Sequence, residues 1–466
     1  MKERQTLNVT PEQKAPSEVH DLTQGRISRQ IVSLALPIIG TSFVQVAYSF
    51  TDMAWVGHLG SREIAALGVI AVLTWLAASI GTLVKSGAEV LVAHSLGAQN
   101  RSLARSYAQH TTTLALYIAL GLMALLFVGG DTFIRFYHLD EEISHMAHIY
   151  LRLILLGLPA FFLGLACSGI YNATGRSKIP FRINSIGLIA NMLLDPLFIF
   201  VFRWGIAGAA LATVVSQWLV ALLFLYRIYG QDHLFGGWHL VGRLHRMETL
   251  KIAKLGVPIV ALNTLFVFIT FIMGTLTART GGHIGVATIN TGGQLEAITW
   301  NTSQGFSTAL ATFVAQNYAQ GKADRIFSAF KISISITSIF GLIASLIYIF
   351  LGTPFFALIV PEVEAYIEGG RYLRIVGCFQ LFMMAEIVIQ GLFYGTGRSL
   401  QPALISIIGN SIRIPLVFLF TSLHWGLEGI WWAIALSMIA KGLSSIGFLP
   451  YLRHRVKAQS LSHQTP

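Results

Sequence analysis

Residues 169–180 read GIYNATGRSKIP, and residues 391–402 read GLFYGTGRSLQP: the same phrase returns 222 positions later. Its neighbours return with it. WGIAGAALA (204–212) comes back as WGLEGIWWA (425–433), and EVLVAHSLGAQNRSLARS (89–106) is echoed by ATFVAQNYAQGKADRIFS (311–328). Pro37 corresponds to Pro258 at nearly the same offset. A self-similarity sustained over most of a chain is the signature of a duplicated structural unit, and membrane transporters are often built this way.

Composition says what the unit is made of. Of the 466 residues, 54% are hydrophobic and 11% are charged, and the mean hydropathy is +0.65. A soluble protein carries about 25% charged residues. Apolar runs of about 18 to 25 residues recur from Ile31 to the neighbourhood of Leu449, each long enough to cross a hydrocarbon core of about 30 Å as a helix. Runs such as LALYIALGLMALLFVGG are apolar throughout rather than alternating, which sets a β-barrel aside. The expected fold is an all-α polytopic membrane protein with about twelve transmembrane helices in two pseudo-symmetric six-helix lobes. Six spans separate the copies, so both lobes share one orientation and are related by an axis along the membrane normal. The expected divisions are a polar, mobile tail at 1–28, an N-terminal lobe at 29–230, a connecting loop at 231–250, a C-terminal lobe at 251–451 and a polar tail at 452–466.

The net charge of +11 is spread over short loops rather than gathered into a patch, which speaks against nucleic acid as a partner. Arg101, Arg105, Arg176, Lys178, Arg182, Lys322, Arg325 and Arg398 fall in alternate loops, whereas YHLDEE (137–142) and PEVEAYIE (361–368) between them are acidic. By the positive-inside rule both termini are expected to be cytoplasmic. The first 28 residues hold no apolar stretch of the kind a secretory signal needs. Cys167 and Cys378 fall in predicted spans of different lobes and are read as small core residues, not as a disulfide.

The duplication supplies an internal control for polar residues inside spans. Such residues are costly in lipid and are usually retained for a function. Asp195, in NMLLDPLFIF, pairs with Ile414; Asp52, in SFTDMAWVGHLG, pairs with Met273; Thr213 pairs with Ile434; Asn191 keeps its equivalent in Asn410. Polar groups at these positions are concentrated in the N-terminal lobe. Asn191 and Asp195, four residues apart, share a helix face. With Asp52 and Thr213 they form a hard oxygen set suited to Na⁺, while two carboxylates close together in a low dielectric also favour holding a proton. Either ion fits a coupling role. Lys85 and Glu89 are spaced to pair along one helix.

Taken together, LALPIIGTSFVQVAYSFTDMAWVGHLG, GAEVLVAHSLGAQN, GIYNATGRSKIP, NMLLDPLFIF and GNSIRIPLVFLF, in this order across residues 28–450, resemble the multidrug and toxic compound extrusion (MATE) transporters, and among them the DinF-like branch. The resemblance implies an antiporter that exports cationic, amphipathic compounds in exchange for H⁺ or Na⁺, without a cofactor and not as an enzyme. It implies a cation site at Asp52, Asn191, Asp195 and Thr213, and a bend of the first helix at Pro37. Proline frees a backbone carbonyl and permits such a kink. Gln45, Tyr48 and Tyr150 match cavity positions, where aromatic faces suit organic cations.

The chain departs from other branches in the C-terminal lobe. Their acid in the seventh helix has no counterpart in PIVALNTLFVFITFIMG, and Glu386 lies about one turn from the tenth-helix acid, which aligns near Met383. Glu296 and Glu386 are therefore read as structural or partly exposed, and Arg413 is left without a role. A flippase for lipid-linked oligosaccharides shares the doubled bundle and is the rival reading, but its pyrophosphate substrates call for a basic cavity. HExxH, CxxC, GxSxG and P-loop patterns do not stand in a plausible context, which argues against an enzyme. The expected setting is the bacterial inner membrane, as a monomer.

Overall fold

The computed structural model describes residues 20–137, 139–232, 235 and 239–462. The stretch 1–19, most of the middle of the connecting loop and the last four residues lie outside the described residues, so the expected mobile tail is covered only from His20 onward.

Among the described residues nine helices are long and apolar enough to cross a membrane, and two bent pairs complete further spans. One of the nine, Arg246–Ala319, is 74 residues long and breaks at Gly282, whose φ of 57° and ψ of −141° no helix can contain. It therefore supplies the seventh and eighth spans, and the total is twelve. The N-terminal lobe holds Ile27–Gly57, Ser61–Gly97, Arg101–Phe136, the pair Glu141–Leu155 and Leu158–Ala173, Lys178–Pro196, and Gly205–Tyr226. The C-terminal lobe adds Ala323–Ala357, the pair Val363–Gly377 and Gln380–Gly395, the two pieces Leu400–Ser411 and Arg413–Ser422, and Gly426–Gly447. A last helix, Leu449–Ser462, follows where a polar tail was expected.

The fourth and tenth spans bend by 48° and 53° at equivalent places in the repeat. Pro159 starts a new helix at the first break. At the second, Cys378 is exposed, which corrects its reading as a core residue; Cys167 is buried as expected. Side chains such as Leu125, Val128, Phe271 and Phe350 stand 66%, 80%, 73% and 74% exposed, an arrangement that only lipid can cover without cost.

The lobes are joined at the end of the bundle where the basic loops lie, called here the basic face. His94 Nε2 lies 2.7 Å from the Gly395 carbonyl and its ring stacks on Tyr318. Gln316 donates from Nε2 to the Ala173 carbonyl at 2.9 Å and accepts from the Leu22 amide at 3.0 Å. The segment ahead of the first helix, His20–Gly25, is thus held rather than loose. Its His20 amide donates to Thr174 of the N-terminal lobe, while Asn317, Lys322 and Arg325 of the C-terminal lobe donate to its Leu22, Thr23 and Gly25 carbonyls. Gly97 has to be glycine here, since a Cβ would strike the Gln316 backbone. Helices in lipid associate through such close approach and hydrogen bonding rather than through hydrophobic burial.

The connection between lobes is anchored by Asp232. It accepts from Arg176 Nη2 at 2.9 Å, Arg227 Nε at 3.0 Å and Tyr171 Oη at 3.0 Å. Burial alone would push this carboxyl upward, but the Arg176 guanidinium, with Tyr171 and Arg227, holds it below the usual carboxylate range.

Candidate functional site

Asp52 lies five residues before the end of the first helix, far from the basic face, and Asp195 ends the regular part of the fifth. Pro196 follows at once and the helix widens into a π turn over Leu197–Val201. Such turns recur at functional sites because they release backbone groups and re-aim side chains. The sixth helix packs closely on this turn because Gly208 has no Cβ to meet the Phe198 carbonyl. That approach carries Thr213 to the same region.

All four residues expected to form the cation site are buried: Asn191 and Asp195 completely, Thr213 to 6% and Asp52 to 9% exposure. Asn191 Nδ2 donates to Asp195 Oδ1 at 3.2 Å, and Asp195 lies within reach of the charge of Asp52. Two of the three expected cavity residues join them. Tyr150 donates to Asp52 Oδ2 at 3.4 Å, and Tyr48 donates to the Thr213 carbonyl at 3.4 Å.

The informative atoms are those left over. Asp52 Oδ1, Asn191 Oδ1, Asp195 Oδ2 and Thr213 Oγ1 are each buried without a hydrogen-bond partner, as is Ser216 Oγ one helical turn from Thr213. Buried polar atoms are ordinarily satisfied, and a cluster of exceptions requires an explanation. Among the described residues neither aspartate has an ion-pair partner. One donor-poor, oxygen-rich cluster fits a small hard cation or a proton. Ser216 did not emerge from the sequence, although its spacing from Thr213 was a usable signal.

Gln45 is elsewhere. It lines a cavity of ≈ 260 Å³ between the lobes, together with Lys85, Glu89, Asn263, Gln390 and Tyr394. The expected Lys85–Glu89 pair is present at 4.0 Å, and Asn172 Nδ2 donates to Glu89 at 2.9 Å. Pro37 sits inside an unbroken first helix, where Thr41 Oγ1 donates to its carbonyl at 2.9 Å.

The acids of the other lobe are differently placed. Tyr372 donates to Glu296. Arg413, which had no assigned role, donates from Nε to Ser437 Oγ at 2.7 Å. Glu386 is buried against Lys441, a partner not recognised in the sequence although a lysine in ALSMIAKGLSSIGF requires one.

Comparison with known proteins identifies the pattern. The family model described as MatE matches residues 37–197 and again 258–419, so its two copies begin at Pro37 and Pro258. Bacillus subtilis YpnP, a probable multidrug resistance protein, is 27% identical, the match covering 95% of this chain and 99% of the relative. Thermotoga maritima NorM, also a probable multidrug resistance protein, is 24% identical over 87% of this chain and 88% of its own. Human multidrug and toxin extrusion protein 1 is 22% identical over 92% and 76%. The fold matches a MATE protein solved in a bent conformation, with a TM-score of 0.89 and 21% identity over 97% of this chain and all of the other.

Proposed function

Because the chain belongs to the MatE family, we propose that it is a secondary active multidrug exporter that moves cationic or amphipathic organic compounds out of the cell in exchange for H⁺ or Na⁺. The observation that carries this reading is the set of unpartnered buried oxygens contributed by Asp52, Asn191, Asp195 and Thr213 from three helices, with no ion-pair partner for either aspartate among the described residues. Two carboxylates left uncompensated in a low dielectric are stable only when a cation or proton joins them. Tyr150 and Tyr48 orient the cluster through their bonds to Asp52 and to the Thr213 carbonyl, while Gln45 faces the cavity between the lobes.

With both termini cytoplasmic, the basic face is the inner one. The lobes, 29–230 and 251–451 with the connector 231–250, are then shut toward the cytoplasm, and the Asp52–Asp195 cluster lies toward the outer side, from which the driving ion enters. Filling the cluster neutralises it and permits the N-terminal lobe to repack, with Pro37 as the point where the first helix can bend. Opening of the basic face would then admit the next substrate.

The test is transport by purified protein in liposomes loaded with a fluorescent organic cation, with proton and sodium gradients imposed separately. Gradient-driven movement that disappears in Asp52→Asn and in Asp195→Asn is the expected result. Undiminished transport by both variants would reject the site.

A further inference from the structure

The C-terminal lobe encloses a second set of ionisable groups, built on a different plan. Glu386, in the tenth span, is 2% exposed, and Lys441, in the twelfth, is 7% exposed. Lys441 Nζ lies 3.1 Å from Glu386 Oε2. The other carboxylate oxygen accepts from Gln390 Nε2 at 3.1 Å and from Ser406 Oγ. Both oxygens of this acid are therefore occupied, in contrast to those of Asp52 and Asp195.

The surroundings balance as well. Arg413 and Glu296 lie within electrostatic reach of the pair and of each other, and Tyr394 stands next to Glu386 through Gln390. Glu296 and Glu386 are thus balanced by Arg413 and Lys441, whereas among the described residues Asp52 and Asp195 have no base as an ion-pair partner. An ammonium 3.1 Å from a carboxylate oxygen takes the place that a free cation or a proton would take. It cannot diffuse away, because its stem is packed inside the lobe, and moving it off Glu386 would leave two buried charges unpaired.

We propose that Lys441 is a tethered counter-cation that keeps Glu386 permanently neutralised, so that the C-terminal lobe exchanges no cation during the transport cycle. This extends the exchange reading of the N-terminal lobe and rests on it for its meaning in transport. Lys441 is on this view a positioning residue: it sets the number of ions taken up without contacting substrate.

The experiment counts cations on the full chain, as ²²Na⁺ bound and as H⁺ taken up by the purified protein. It compares wild type with Lys441→Gln, with the charge-free double variant Glu386→Gln/Lys441→Met, and with Asp52→Asn/Asp195→Asn. Lys441→Gln is expected to gain one binding event and so about to double the maximal uptake, and to keep that event when the two aspartates are also replaced. The double variant, which removes both charges together and so avoids a stranded one, is expected to match wild type. Loss of uptake in the double variant would overturn the proposal, because Glu386 would then exchange in the natural protein. A folded Lys441→Gln variant with no added uptake would overturn it too. If Lys441→Gln does not fold, the double variant decides alone. Uptake that survives in Asp52→Asn/Asp195→Asn would instead reject the N-terminal site, a result separate from either outcome at Glu386.

Discussion

Gln316→Ala is expected to open the basic face. Gln316 is 2% exposed and bridges three pieces of chain, donating to the Ala173 carbonyl at 2.9 Å and accepting from the Leu22 amide at 3.0 Å. Truncation removes two hydrogen bonds worth about 0.5 to 1.5 kcal/mol each, and it strands a buried amide and a buried carbonyl at about 1 to 3 kcal/mol apiece if no water enters. In the open state water satisfies both groups, so the cost falls on the closed state. A net loss of about 2 to 4 kcal/mol shifts the closed-to-open ratio about 30-fold to several hundred-fold at 1.4 kcal/mol per tenfold. The assay places a cysteine at Ser42, on the wall of the cavity between the lobes, after replacing the exposed Cys378. A membrane-impermeant maleimide is then applied from the cytoplasmic side of inside-out vesicles. Labelling of the reporter is expected to accelerate steeply with Gln316→Ala. A labelling rate equal to that of the unmutated seal would refute the assignment of closure energy to this bridge.

Three further outcomes follow from the same geometry. Tyr150→Phe removes one long hydrogen bond to Asp52 and, at about 1 kcal/mol, should weaken the driving ion's apparent affinity by less than tenfold without abolishing transport; loss of all transport would assign Tyr150 a larger role. Asp232 is held below its usual range, so its contribution to stability is complete above the unfolded value of about 3.9 and fades as pH falls through its lower folded value. Asp232→Asn should accordingly lower Tm at pH 6 and narrow its gap to wild type on acidification, in melts followed between pH 6 and pH 3. Gly97→Ala should weaken the seal at the basic face through collision with Gln316, read as faster labelling of the same Ser42 cysteine.

The twelve spans were legible because lipid demands long apolar runs, and the duplication at WGIAGAALA and WGLEGIWWA sorted them into lobes. The breaks at Gly157 and Cys378 were not, since glycine and proline in membrane helices mark kinks only when neighbouring helices supply the missing contacts. Asp52, Asp195 and Thr213 could be found by asking which polar residues lack a twin, and Asn191 by its spacing of four from Asp195. The same question also applies to Lys441, which pairs with Val220, but it does not reveal the partner, which lies 55 positions away in sequence on a different helix. Gln45 was grouped with Tyr48 because they share a helix, but three residues of helix turn are enough to point one into the cluster and the other between the lobes. Cys378 was misread because an apolar neighbourhood in sequence does not reveal that the helix stops there.

The short segment bound across the basic face also has a bearing on biosynthesis. Leu22 leaves the ribosome well before its partner Gln316, which lies 294 positions later. At about 5 to 20 residues per second, the ribosome needs roughly 15 to 60 s to supply that partner. During this interval the leading peptide has half of its docking surface and no means of completing the contact. The seal can therefore form only after the eighth span has entered the membrane, which makes its closure a late checkpoint in assembly and leaves an N-terminal lobe halted before that point without its lock.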